Sequence, residues 1–180
     1  GYLNVPGLYP DLYLKYFNSE TFNNQDNTTE VTVGKRNSVI NANVIDNIAG
    51  NVTLQAYIKD AVTAGAVTNG YVNVTANGTL VGRAYYVNDE GFTTIVTNIT
   101  TKGNYTFVVS FEGNNYYLES STDDNTTVKE NLTNKEVVGR LADIIAAAKN
   151  VTLGNSTVEA NLTDNETKDP LTYQDVIITL

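Results

Sequence analysis

The stretch "GYVNVTANGTLVGRAYYV", residues 70–87, constrains the fold more than any other part of the chain. It holds two strand-like runs on either side of Asn77-Gly78. Asn-Gly between two such runs is the strongest short-range signal for a two-residue hairpin, because both residues adopt positive φ readily. The stretch therefore predicts two adjacent antiparallel strands.

Strand-like runs recur along most of the chain. In Thr53–Lys59, "TLQAYIK", Leu54, Ala56 and Ile58 fall on one face, which is the period of two of a half-buried strand. Residues 85–96 repeat the hairpin pattern, with Asn88 to Gly91 as the turn. "NYTFVVSF" is a further strand, whose predicted core face is Tyr105, Phe107 and Val109. Strands at about ten-residue spacing predict an all-β, antiparallel, immunoglobulin-like sandwich.

One segment has helical rather than strand-like spacing. In "TNKEVVGRLADIIAAAK", Thr133 is followed three residues later by Glu136, the pattern of a capping box. The apolar residues then recur at helical intervals: Val137, Leu141, Ile144, Ile145 and Ala148. This predicts one short helix near residues 134–149, packed on a sheet.

The chain resembles itself at two places. Residues 51–60, "NVTLQAYIKD", align with residues 155–164, "NSTVEANLTD", at an offset of 104. Residues 12–22, "LYLKYFNSETF", align with residues 107–117, "FVVSFEGNNYY", at an offset of 95. Self-similarity at such a spacing is typical of arrays of similar units.

The order of these matches predicts three parts. Residues 1–28 are an N-terminal arm that resembles the closing strands of a unit and would complement another unit. Residues 29–124 are one complete immunoglobulin-like sandwich. Residues 125–180 are the first strands of a further unit, together with the predicted helix.

Acceptor triplets for N-linked glycans are unusually frequent. Shuffled residues would give about 4 such triplets, whereas the chain has 12, each with Thr in the third place. The excess favours glycosylation over the general preference of turns for Asn and strands for Thr, and it predicts an extracellular location. The predicted sites are Asn27, Asn51, Asn73, Asn77, Asn98, Asn104, Asn125, Asn131, Asn150, Asn155, Asn161 and Asn165.

Composition excludes several chemistries. The chain has no Cys and no His, which removes thiol nucleophiles, imidazole acid–base catalysis and the usual zinc ligands. No loop has the spacing of a calcium-binding motif, so neither a metal nor another cofactor is expected. The net charge of −9 argues against nucleic acid as a partner. No apolar run is long enough to span a membrane.

The stretch "TKGNYTFVVSFEGNNYYLESST" resembles the closing strands of the immunoglobulin-like repeats in adhesin-like surface proteins, especially those of methanogenic archaea. The matching residues are Gly103, Tyr105, Phe111, Gly113, Asn114, Asn115 and Tyr116. Asn114 stands where that family often has Asp, which argues against calcium at the loop. The resemblance covers residues 29–124 well and the two ends in part, and it implies a non-enzymatic, extracellular structural module of the cell surface. By the logic of assembly, the chain is also similar to pilins that donate a strand to a neighbour.

These features favour a structural subunit of a glycosylated archaeal filament, pilus or adhesin. A unit without its last strands exposes sheet edges, which a segment of another copy could cover. The predicted interface residues of the arm are Val5, Leu8, Leu12, Leu14 and Tyr16. Contacts of this kind are head-to-tail and extend into a homopolymer. Two alternatives stay open, namely pairing of the arm within its own chain and a cut through a longer tandem protein.

Other functions are weaker alternatives on the sequence alone. A carbohydrate- or cell-surface-binding module of a larger adhesin could use the exposed members of Tyr85-Tyr86 and Tyr116-Tyr117. An enzyme is not expected, because the neighbouring acids Asp89-Glu90, Asp123-Asp124 and Asp164 with Glu166 lie in turn-like stretches. An isopeptide bond from Lys35 or Lys59 to an Asn is a further possibility that needs neither Cys nor His.

Overall fold

The structure is a computed structural model that describes residues 2–17, 20–86, 92–172 and 174–179. Its strands are β1 (Gly7–Tyr16), β2 (Gln25–Val33), β3 (Ser38–Asp46), β4 (Thr53–Asp60), β5 (Gly70–Ala76), β6 (Thr79–Tyr86), β7 (Phe92–Val96), β8 (Gly103–Tyr105), β9 (Phe107–Phe111), β10 (Ser120–Ser121), β11 (Lys135–Val137), β12 (Ala142–Thr152) and β13 (Asn155–Asp164). One helix, α1 (Thr126–Leu132), follows a short 3-10 turn at Thr122–Asp124. The predicted all-β sandwich with one short helix is confirmed.

Strands β3 to β11 form the central unit, which is a sandwich of two antiparallel sheets. One sheet has the order β3-β4-β7 and the other has the order β10-β9-β5-β6, while β8 pairs separately with β11. The inward-facing residues of β4 are Leu54, Ala56 and Ile58, all completely buried, as their alternation predicts. Burial of these apolar faces between the two sheets is what stabilises the unit.

The hairpin predicted at Asn77-Gly78 joins β5 to β6. Both turn residues have positive φ, 49° and 82° respectively, as a two-residue turn of this class requires. The second predicted turn, Asn88 to Gly91, lies outside the described residues. The strands beside it belong to different sheets, because β7 pairs with β4 rather than with β6. The chain therefore crosses between the two sheets at this point.

The predicted core face of β8 and β9 is also confirmed. Phe107, Val109 and Phe111 alternate along β9 and are almost fully buried, and half-buried Tyr105 packs against the same core. Phe111 lies beside Gly70, whose φ is +149°, and a Cβ at Gly70 would come within 2.3 Å of the Phe111 ring. Glycine at this position therefore lets the aromatic ring fill the core.

The helix predicted near 134–149 is wrong in position. Those residues include β11 and β12, and the helix α1 ends before them. Thr133, predicted to begin the helix, instead caps the C-terminus of α1, and Asn125 caps its N-terminus by accepting a hydrogen bond from the backbone N–H of Val128. The apolar residues of β12 pair with β13 around Gly154, so pairing between strands overrides the helical spacing.

Helix α1 and strand β11 pack onto the core of the central unit. Val128, Leu132 and Val137 belong to the same buried cluster as the residues of β4 and β9. Strand β2 in turn crosses residue 28 without a break. The division at residues 28 and 124 stays a prediction, and the buried cluster of the central unit runs from Ile40 to Val137.

Two hairpins flank the central unit. β1 pairs only with β2 and β12 pairs only with β13 among the described residues, and most of their side chains are exposed. Within the same residues, no helix has the length and apolarity needed to cross a bilayer. The hairpins therefore contribute little to the central core and carry apolar side chains on open surfaces.

Candidate functional site

The C-terminal hairpin repeats the first hairpin of the central unit in atomic detail. After β4, Oδ1 of Asp60 accepts hydrogen bonds from the backbone N–H groups of Val62 and Thr63, at 2.9 and 2.8 Å. After β13, Oδ1 of Asp164 accepts the same two bonds from Glu166 and Thr167, at 2.9 and 3.0 Å. Each Asp therefore closes an identical turn, 104 residues apart.

The surroundings of the two aspartates repeat as well. Nε of Arg36 lies 2.9 Å from Oδ2 of Asp60, and Nε of Arg140 lies 3.2 Å from Oδ2 of Asp164. Ala64 and Lys168, four residues beyond each Asp, have positive φ of 57° and 63°. Residues 140–171 therefore adopt the local conformation of residues 36–67, and we call residues 140–179 the head.

The N-terminal hairpin repeats the closing strands of the central unit. Gly7 and Gly103 have φ of 154° and 155°. The hydroxyls of Tyr9 and Tyr105, two residues later, each donate to the carbonyl four residues earlier, at 2.8 and 3.0 Å. Gly7 pairs with Val33 as Gly103 pairs with Val137. The first strand of this hairpin begins like β8. From here on the arm means residues 2–33, which extend the predicted arm to the end of β2.

A bulge between Tyr9 and Leu12 shifts the alignment by one residue, and the rest of β1 then matches β9. Tyr16 pairs with Gln25 as Phe111 pairs with Ser120. In the central unit, α1 interrupts the returning chain between β10 and β11, whereas β2 runs straight on. The arm is therefore the same hairpin without the helical insertion, which explains why the offset changes from 95 to 104.

Equivalent apolar residues differ sharply in burial. Ile40 is 2% exposed and its counterpart Ile144 is 56% exposed. Val109 is fully buried and its counterpart Leu14 is 56% exposed, while Val74 is fully buried and Ile178 is 64% exposed. The arm and the head therefore present the inner faces of a sandwich without the sheets that cover those faces in the central unit.

The five predicted interface residues lie on or just before β1. Val5, Leu8, Leu14 and Tyr16 are exposed and Leu12 is half-buried. Leu12, Leu14 and Tyr16 alternate and so lie on one face, which corresponds to the core face of β9. Their role at a subunit interface stays a prediction.

Most predicted glycan acceptors lie on the surface. Eight of the twelve have exposed side chains: Asn27, Asn51, Asn77, Asn98, Asn104, Asn125, Asn131 and Asn161. Asn73 and Asn165 are half-buried, and their amide groups donate to Glu112 and Asp143 at 2.7 and 2.6 Å. The side chains of Asn150 and Asn155 lie outside the described residues. Glycosylation itself stays a prediction.

The aromatic loop after β9 lines an open groove of about 620 Å³ between Tyr71, Tyr85 and Tyr116. The rings of Tyr71 and Tyr85 meet edge to face at 4.7 Å, and the guanidinium of Arg83 lies 3.8 Å from the centre of the Tyr71 ring. Arg83 also binds Glu112 at 2.9 Å, which holds it in place. The groove therefore presents exposed aromatic side chains.

Asn114 holds the same loop against β5 rather than facing solvent as a ligand. Its amide nitrogen donates to the carbonyls of Thr68 and Asn69, at 3.2 and 2.9 Å. Its amide oxygen accepts from the backbone N–H groups of Tyr116 and Tyr117, at 2.8 and 2.9 Å. An Asp at this position could not donate the first two bonds, which explains why this loop carries Asn.

Several of the acids and lysines singled out from the sequence have structural contacts. Asp123 binds Lys129 at 3.0 Å and Asp164 closes its turn, while Asp89 and Glu90 lie outside the described residues. Lys35 donates to the backbone carbonyl of Asn114 at 2.6 Å, and the side chain of Lys59 is exposed. Among the described residues, no three acidic side chains are grouped as metal ligands.

Replacing Asp60 with Asn should make the stability of the chain less sensitive to acid. Hydrogen bonds from the backbone N–H of Thr63 and Val62 outweigh the opposing effect of burial and lower the pKa of Asp60 to about 2. A lowered pKa stabilises the fold above pH 4 and the contribution is lost as the pH falls toward 2. In thermal melts, the wild type should therefore have a higher melting temperature than Asp60→Asn at pH 7. The difference between the two melting temperatures should narrow by pH 2. A gap that stays constant would show that the charge of Asp60 is unimportant.

Sequence reasoning found the repeated Asp but missed the paired Arg. The aligned segments ending in Asp60 and Asp164 contained the signal, since Arg36 and Arg140 stand at the same offset of 104. Comparison with family models, with curated proteins and with solved structures gives no match to this chain. The internal repeat is therefore the main guide to function.

Proposed function

We propose that this chain is an extracellular structural module whose copies join head to tail by strand complementation, as the subunit of a surface filament, pilus or adhesin. The observation that carries the proposal is the pair of terminal repeats. The arm copies the closing strands of the central unit and the head copies its opening strands. Each lacks what the other has, so the arm of one copy can complete the head of another.

The composite unit formed in this way would keep the centre of both sheets. The head supplies counterparts of β3, β4 and β5, and the arm supplies counterparts of β8 to β11. Counterparts of α1, β6 and β7 are missing, and β6 and β7 lie at the edge of their sheets in the central unit. The contact between head and arm would thus cover apolar side chains that are exposed in a single copy, such as Leu14 and Ile144.

The proposed extracellular location and glycan coat are supported by the distribution of acceptor triplets over the surface. Acceptor triplets are spread over β2, β5, the central turns and β13, and most of their side chains are exposed. A dense glycan coat suits a cell-surface filament or adhesin and fits the resemblance to adhesin-like surface proteins of methanogenic archaea. Mass spectrometry of the protein from its native source tests this part of the proposal.

Deleting residues 1–17 should abolish polymerisation without unfolding the central unit. The deletion removes β1, and the buried cluster of the central unit begins only at Ile40. Negative-stain microscopy and sedimentation should show fibres for the whole chain and single particles for the truncated one, with similar circular dichroism. Fibres from the truncated chain would contradict the proposal.

A matched control uses both ends at once. Chains without residues 1–17 keep the head, and chains without residues 172–180 keep the arm. Each should be monomeric alone, and a mixture should give dimers but no fibres, because only one contact can form per pair. Monomers in the mixture would contradict head-to-tail joining, whereas dimers of either chain alone would indicate a different contact.

A second candidate function is carbohydrate or cell-surface binding by the tyrosine groove. The observation in its favour is the exposed cluster of Tyr71, Tyr85 and Tyr116 beside Arg83. Aromatic faces of this kind stack on apolar faces of ligands. A glycan array with wild type and with Tyr116→Ala tests it: hits that weaken in the variant support binding, and an array without hits removes it.

A further inference from the structure

The open edge of β1 is the edge at which its counterpart β9 binds β5. β9 lies between β10 and β5 and is paired along both edges, whereas β1 is paired only with β2 among the described residues. The alignment places β2 in the position of β10, since Tyr16 pairs with Gln25 as Phe111 pairs with Ser120. The edge left open on β1 therefore corresponds to the edge that β5 occupies.

The counterpart of β5 is the last segment of the head, residues 176–179, which we call the tail. At the offset of 104 that relates the two hairpins, Val72 and Val74 correspond to Val176 and Ile178. Val72 and Val74 are fully buried, whereas Val176 and Ile178 are 44% and 64% exposed and belong to no described strand. The tail thus has apolar residues at the two positions that are buried in β5, with Ile177 in place of Asn73 between them, and it lacks the sheet that covers β5.

We propose that residues 176–179 of one copy pair antiparallel with residues 13–16 of the next, with Ile178 opposite Leu14 and Val176 opposite Tyr16. The register is that of the central unit, where Val74 lies opposite Val109 and Val72 opposite Phe111. The inference rests on the proposed head-to-tail function and specifies the junction.

The hydrogen-bond pattern of the central unit fixes which residues face each other closely. The N–H of Glu112 donates to the carbonyl of Tyr71 at 3.0 Å, and the N–H of Asn77 donates to Thr106 at 2.9 Å. Alternation between these two bonds puts Val74 and Val109 at a non-hydrogen-bonded position, where side chains approach most closely. In the junction, Ile178 and Leu14 form the corresponding non-hydrogen-bonded pair.

The backbone of β1 also limits where this pairing can extend. In the same alternation, Tyr13 and Lys15 direct their N–H and carbonyl groups to the open edge, toward Thr179 and Ile177. Pro10 has no N–H to donate, and the bulge beside it shifts the register. The tail therefore pairs with β1 only on the C-terminal side of the bulge.

Engineered cysteines test the register directly, since the natural chain has no Cys. A tagged Leu14→Cys chain is mixed with an untagged Ile178→Cys chain under a mild oxidant, and dimers are separated without reductant. The pair should give about tenfold more disulfide heterodimer than Leu14→Cys mixed with Ile177→Cys, because neighbouring residues of a strand point to opposite faces. Circular dichroism confirms that each variant is folded.

The outcomes separate the junction from the wider proposal. Equal cross-linking of the two pairs, in protein whose wild type forms fibres, would overturn the register and leave head-to-tail joining intact. Wild type that stays monomeric, with no heterodimer from either pair, would overturn both. A chain with both substitutions that closes an internal disulfide at high dilution would show pairing within one copy and overturn pairing between copies.

Discussion

Replacing Phe111 with Ala should lower the free energy of unfolding of the central unit by about 3–5 kcal/mol, the usual cost of removing a buried aromatic ring. Phe111 is 1% exposed and fills the space that Gly70 leaves open. Phe111 lies on β9, which is hydrogen-bonded along both edges, so the backbone around the cavity has little freedom to move and fill it. Urea denaturation followed by circular dichroism measures the change.

The matched control is Tyr16→Ala, the same truncation at the repeated position. Tyr16 is 50% exposed, so its loss should cost the isolated chain about 1 kcal/mol or less. It should nevertheless weaken joining of copies, because Tyr16 faces the partner in the proposed junction. Equal losses of stability at the two positions would contradict the view that the apolar face of β1 is uncovered in a single copy, whereas that of β9 is buried.

A fragment of residues 34–124 should fail to fold, whereas a fragment of residues 34–139 should fold cooperatively. The shorter fragment lacks Val128, Leu132 and Val137, which are 9%, 0% and 1% exposed. Their burial contributes about 4.5–9 kcal/mol at 1.5–3 kcal/mol for each of the three side chains. That is comparable with the whole stability of a small domain. Thermal melts and dispersion of amide signals in NMR spectra distinguish the two fragments.

A variant of the longer fragment locates the effect. Leu132→Ala should lower its stability by about 2–5 kcal/mol, as expected for a fully buried leucine, and Glu130→Ala on the exposed side of α1 should change it little. If the shorter fragment melts cooperatively at the same midpoint as the longer one, α1 and β11 are dispensable for the central fold.

The sequence predicts the strands of the central unit well, because alternation has a direct physical cause. Leu54, Ala56 and Ile58 share one face of a strand, whereas in a helix Ala56 would lie on the other side. Asn77-Gly78 favours a tight turn for a local reason, the ease with which both residues adopt positive φ. The crossing from β6 to β7 could not be predicted in this way. Alternation says which face of a strand is buried, but it does not say which neighbouring strand supplies the hydrogen bonds.

The misplaced helix has an instructive cause. Apolar residues near Ile144 and Ile145 fit helical spacing, yet the internal repeat aligns Ile144 with Ile40 of β3. At the same offset of 104, residues 144–154 correspond to residues 40–50, and this correspondence predicts a strand at Ile144. Long-range pairing with β13 determines the structure of this segment, and local spacing carries no information about such pairing.

The candidate assembly surfaces were predictable only in outline. The offsets of 95 and 104 identify which halves are repeated, but the insertion of α1 that separates those offsets has no counterpart in the arm. The ion pairs of Arg36 and Arg140 also depend on turns that bring distant residues together. The repeat alone is enough to propose interface residues in the arm, whereas the proposed partner surface on the tail also depends on the register between β5 and β9.

The closed turn at Asp164 has a consequence for how fast copies could join. This turn and its ion pair to Arg140 are already formed in the absence of the rest of that unit. The conformational entropy of ordering the hairpin is therefore lost before two copies meet, and only the short tail beyond it remains to be fixed. Growth of a filament would then require the ordering of only a few residues at each new contact, and not the folding of a whole domain.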